Sequence, residues 1–157
     1  MKIREQKQRL IGSEAPAIRL KMLNGEEKII GMMAEKVQVM ITLPFSDSLS
    51  GAVANIITKH QEKAFIYTIA SNPLTTAIDE AQSSTDFYNF TFKYGVNVDE
   101  TLCKKAVFIV NKDGEIVYRE VLDDPSDDFN SEILDKALDE AIKFKKKGHT
   151  HETWMSV

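Results

Sequence analysis

Apolar and polar positions alternate from Ala17 to Met22, with Ile18 and Leu20 on one face, which predicts a half-buried strand. Asn24-Gly25 follows and tolerates the positive φ angles of a tight hairpin turn, so Glu27 to Ile30 is expected to return as a partner strand. Val37-Gln38-Val39-Met40-Ile41 is short, β-branched and nearly continuous in apolarity, the pattern of a central strand covered on both faces. A proline-containing elbow, Thr42 to Gly51, then leads into a helical stripe of Leu49, Val53, Ile56, Ile57 and His60, with Asp47 or Ser48 as the expected cap. Ala64 to Ile69 is a second buried-type strand, stopped at Ala70-Ser71-Asn72-Pro73.

Beyond it, residues 75 to 82 suggest a short helix, Gln82 to Thr85 a polar break, and Phe87 to Tyr94 an aromatic helix closed by Gly95. The aromatic cluster suits a helix laid over a sheet better than a cofactor-stacking surface. Lys105 to Val110 and Glu115 to Val121 read as two strands joined through Asp113-Gly114, a strong hairpin signal. The acidic loop Asp123 to Asp128 is expected to place negative charge at the start of the last helix, because the regular ligand spacing of a calcium loop is absent. That helix spans about 130 to 146, with Ile133, Leu134, Ala137, Leu138, Ala141 and Ile142 on one face.

The pattern is therefore α/β: hairpin, strand, helix, strand, helix, hairpin, helix. At 157 residues and 43% hydrophobic content, one domain over 1–147, with 1–10 as an N-terminal extension and 148–157 as a flexible tail, accounts for the chain. A net charge of −4, from 20 basic and 24 acidic residues, gives no general case for nucleic-acid binding. The basic run Lys143 to Lys147 reads as a solvated helix end. Neither a secretory signal nor a membrane span is legible, and a single cysteine, Cys103, fits a reducing, cytoplasmic compartment. His60 ends a stripe with no second ligand nearby and reads as a packed histidine. His149, His151 and Glu152 lack a preformed frame for a metal, and Trp154 is a candidate contact residue in the tail. No metal or cofactor is expected.

Five short motifs occur in order. They are Gly12-Ser13-Glu14-Ala15-Pro16 with Leu20; Pro44-Phe45-Ser46-Asp47-Ser48-Leu49-Ser50-Gly51; Ala70-Ser71-Asn72-Pro73-Leu74; Phe90 with Tyr94-Gly95-Val96; and Lys105 to Gly114. Over roughly residues 10 to 143 they resemble the bacterial thiol peroxidases, the atypical two-cysteine branch of the peroxiredoxins. The resemblance implies a thioredoxin-like, three-layer fold of peroxiredoxin type, with a central mixed sheet flanked by helices and an N-terminal hairpin. It also implies a homodimer. On this likeness the peroxidatic cysteine falls on Gly51, the peroxide-orienting threonine on Ser48 and the polarising arginine on Lys105, while nothing from Ser71 to Leu102 supplies a resolving cysteine.

Glycine carries no nucleophile, and serine hydroxyls do not undergo the thiolate-to-sulfenic-acid cycle that peroxide reduction requires. The first expectation is thus a protein without peroxidase activity, kept as a binding or regulatory module. A second is residual thiol redox chemistry through Cys103, whose pKa Lys104 and Lys105 would lower. A third treats Ser46, Ser48, Ser50 and Lys105 as donors to an anion or small ligand at the elbow.

Overall fold

The computed structural model describes residues 7–45, 50–72 and 80–144. The first hairpin pairs β1 (Ile18–Lys21) antiparallel to β2 (Glu27–Ile30) as a separate two-stranded ribbon, and Ile18, Leu20 and Ile30 turn inward to the core. The main sheet comprises β3 (Val37–Leu43), β4 (Ala64–Ala70), β5 (Ser83–Ser84), β6 (Lys105–Val110) and β7 (Ile116–Leu122), in the order β5-β4-β3-β6-β7. β3 runs parallel to β4 and antiparallel to β6, so the sheet is mixed. The crossover between β3 and β4 is α1 (Gly51–His60). The remaining helices are α2 (Tyr88–Lys93) and α3 (Ser131–Lys143).

β3 and β6 are buried along their whole length because both of their faces are covered. On one face, Met40, Phe108 and Val110 pack with Leu20, Ile30, Phe90 and Tyr94 from the hairpin and α2. The Phe90 and Tyr94 rings stack at 4.2 Å, Tyr94 meets Phe108 edge-on at 5.2 Å, and the Tyr94 hydroxyl donates to Pro16 O at 2.7 Å. On the other face, Val39, Ile41, Val107 and Ile109 pack with Val53 of α1 and Leu134, Leu138 and Ala141 of α3.

Three local expectations are corrected. Ser83-Ser84, read as a polar break, is a short strand paired parallel to β4. The Ser84 hydroxyl donates to Lys21 O at 2.7 Å and Leu23 N–H donates to Ser83 O at 2.8 Å, bonds that fasten this edge to the hairpin. The cap of α1 is Ser50, not Asp47 or Ser48: its Oγ accepts from Val53 N–H at 3.2 Å. The cap of α3 is Asn130, whose side chain accepts from Ile133 N–H, and Glu132 supplies the acid of the first turn, so the acidic loop is left for another role.

The β6–β7 turn is built as its sequence demands. Gly114 adopts φ +86°, and Asn111 Oδ1 accepts from both Asp113 N–H and Glu115 N–H at 3.0 Å. A register shift between Ile109 and Val110 accompanies it. Of the proposed helix over 75–82, only the end lies among the described residues, as a 3-10 turn at Glu80–Gln82.

Candidate functional site

The elbow forms where β3, β4 and the approach to β6 end together. Ser71 N–H donates to Leu43 O at 3.0 Å, and Ser71 Oγ and Asn72 Nδ2 both donate to Pro44 O, at 3.2 and 2.6 Å. Cys103 closes this knot from the β6 side: its N–H donates to Ser71 Oγ at 3.2 Å and its Sγ lies 3.4 Å from Leu43 O, the acceptor for its thiol. The segment before β6 is itself fixed, through an isolated Asn97–Cys103 bridge and a Lys104 N–H to Val96 O bond of 2.8 Å. The elbow's floor is thus backbone held by side-chain hydroxyl, amide and thiol groups.

At its upper edge α1 starts at Gly51. The residue is exposed, its φ lies outside the left-handed region, and a Cβ added there would meet no atom within 4 Å. Its glycine is therefore not forced by crowding or by backbone angle. The free N–H groups of the first turn bring partial positive charge to this point, but Ser50 already takes one of them as cap. Among the donors proposed for a ligand here, Ser46 and Ser48 lie outside the described residues.

Lys105 sits on the elbow side of the sheet, sharing a face with Val107 and Ile109, as strand alternation requires. It is only 2% exposed, and its ammonium is already held. Nζ donates to Asp127 O at 2.6 Å, stands 3.7 Å from the Asp128 carboxylate and lies over the Phe129 ring at 5.4 Å. Asp127 and Asp128 of the acidic loop thus hold a buried cation. Among the described residues, no hydrogen bond or ion pair joins Ser50 or Gly51 to Cys103 or Lys105.

Cys103 does not have the environment expected of a reactive thiol. It is buried, and burial pushes its thiol up from the ordinary value, while hydrogen bonds involving Ser71 pull the other way with smaller effect. Contrary to the expectation, burial dominates this shift, and the Lys105 ammonium is held by Asp127 O and the Asp128 carboxylate. Sequence reasoning also missed Ser71 as the partner of Cys103. Its only signal was its place in the break after β4.

Neither family models nor curated proteins match the sequence. Solved structures do. A peroxiredoxin-like protein from Aquifex aeolicus superposes with a TM-score of 0.68 at 21% identity, covering 86% of this chain and 89% of that one. A thiol peroxidase from Chromobacterium violaceum gives 0.64 at 14% identity over 87% and 90%, and AhpC from Mycobacterium tuberculosis gives 0.65 at 14% identity over 90% and 99%. The chain has the thioredoxin-like fold in the form that peroxiredoxins and thiol peroxidases share. Among the described residues, no helix is long and apolar enough to cross a membrane.

Proposed function

We propose that this chain is a relative of the thiol peroxidases that has lost peroxide reduction and works as a binding or regulatory module. The observation that carries the reading is Gly51: an exposed, uncrowded first residue of α1, at the position where the thiol peroxidase likeness requires the attacking sulfur. The only cysteine in the chain, Cys103, lies buried in the strand-end knot with its thiol pushed up, so the sulfur present is neither exposed nor activated. Lys105, the position of the polarising arginine in that likeness, spends its ammonium on Asp127 O and the Asp128 carboxylate.

Peroxide consumption in the presence of thioredoxin and thioredoxin reductase tests the reading. Rates indistinguishable from the enzyme-free background are expected, and turnover abolished by Cys103→Ser would overturn it. A specific partner captured from the native host's cytoplasm supports the module role. The homodimer rests on the resemblance, and sedimentation of the full chain is expected to show one species of twice the chain mass.

A further inference from the structure

Between α2 and the loop that follows it lies an open groove of about 620 Å3, lined by Tyr88 and Phe92 from the helix and by Val98, Asp99, Glu100 and Thr101 from the loop. Tyr88 and Phe92 stand one helical turn apart, and their rings stack with centroids 6.1 Å from each other. Tyr88 is 38% exposed and Val98 51%, so apolar surface faces solvent here.

The loop is fixed before anything binds. Asn97 is 6% exposed: its Oδ1 accepts from the Thr91 hydroxyl of α2 at 2.8 Å, and its Nδ2 donates to Asp99 O at 3.0 Å. Val98 N–H and Asp99 N–H both donate to Leu102 O, at 3.0 and 3.1 Å. Asp99 Oδ1 accepts from the Thr101 N–H and hydroxyl at 2.8 and 2.9 Å, which seats the carboxylate beside Thr101 and holds it below the ordinary carboxylate value. Among the described residues, Asp99 Oδ2 and the Glu100 carboxylate take no hydrogen bond or ion pair, and no lysine or arginine lines the groove.

An aromatic surface beside two uncompensated carboxylates is complementary to a flat cation. A guanidinium stacks on a ring and donates to carboxylates in one pose, whereas an ammonium is a compact and more strongly hydrated charge. We propose that this groove is a docking site for an arginine side chain carried on a segment of a partner protein. The arginine's stem packs on Tyr88 and Val98, and its guanidinium donates to Asp99 Oδ2 and to the Glu100 carboxylate. A space of about 620 Å3 exceeds what one side chain fills, and the residues beside the arginine occupy the rest. Because the loop is already ordered, little conformational freedom is lost on binding. The groove uses none of the residues of the elbow and is independent of whether peroxide reduction is lost.

The test is a titration of the isotope-labelled full chain with the peptide acetyl-Ala-Arg-Ala-amide, followed through the backbone amides of Val98 to Thr101 and the Tyr88 ring. Saturable shifts at these positions are expected. The same peptide with citrulline, equal in shape but neutral, should bind at least about fivefold more weakly. Asp99→Asn keeps the acceptor for Thr101, and Glu100→Gln alters an exposed side chain that the fold does not use. Each should weaken the arginine peptide by at least about threefold, as should Tyr88→Ala. Resonances unmoved at millimolar peptide would overturn the proposal, as would equal binding of the citrulline peptide or unchanged binding in both carboxylate variants. Argininamide binding as tightly as the peptide would assign the groove to a small guanidinium compound and overturn the partner segment.

Discussion

Two residues beside the elbow, Cys103 and Lys105, have their polar groups already engaged by the fold. Cys103 is bound into the strand ends through Leu43 O and Ser71, and its thiol is pushed up by burial, so thiolate is scarce at neutral pH and access is closed. Alkylation of the native protein is expected to be slow, and to become fast only on adding denaturant. Labelling equally fast in both states would contradict this placement. Lys105 behaves similarly. Removing its ammonium in Lys105→Met keeps the stem against Phe129 but deprives Asp127 O of its donor, and a loss of about 2 kcal/mol in urea unfolding is expected. The side of the sheet that Lys105 occupies was legible from strand alternation. Its partner was not, because the acceptor is a backbone carbonyl in a loop 22 residues on, and carbonyls leave no mark in sequence.

At the scale of elements, the strands were read correctly wherever apolar periodicity was unbroken, as in β3, β4 and β6, because burial on both faces writes itself directly into composition. The two serines of β5 escaped because their pairing is decided by the neighbouring hairpin and by β4, not by their own propensity. The contact between α1 and α3 escaped for the same reason. There Asp135 accepts from Lys59 Nζ at 3.0 Å and lies 2.7 Å from His60 Nε2, and these bonds hold its carboxyl below the ordinary carboxylate value. A depressed folded-state pKa means that this clasp contributes fully above the unfolded carboxylate value and is lost as pH falls through the folded one. Stability measured from neutral pH into acid should therefore decline less steeply in Asp135→Asn than in the parent, and parallel curves would refute the assignment. The elbow itself is tested by Gly51→Cys in a Cys103→Ser background. The new thiol meets no neighbouring atom at Cβ and sits at the positive end of α1, so it should alkylate at least about tenfold faster than native Cys103. An equally slow thiol would show that the open position is not an exposed one in solution.

In the whole molecule, one sheet separates two apolar layers, and its central strands belong to both. Met40 and Phe108 point to the hairpin and α2, while Val39, Ile41, Val107 and Ile109 on the same two strands point to α1 and α3. Neither layer keeps its packing surface if β3 and β6 separate, which couples the two faces through shared backbone rather than through side-chain contact. The expected result is one cooperative unfolding transition. Leu138→Ala empties space only on the α1–α3 side, and Phe90→Ala only on the hairpin side, each costing on the order of 2–5 kcal/mol. In urea, each substitution should lower the midpoint followed by the near-ultraviolet signal of the Phe90–Tyr94 stack and the midpoint followed by far-ultraviolet helicity by the same amount, with the denaturant slope unchanged. If Leu138→Ala moved the helical signal and left the aromatic one in place, the layers would unfold separately. The sheet would then be a partition between two units, and not the shared element that joins them.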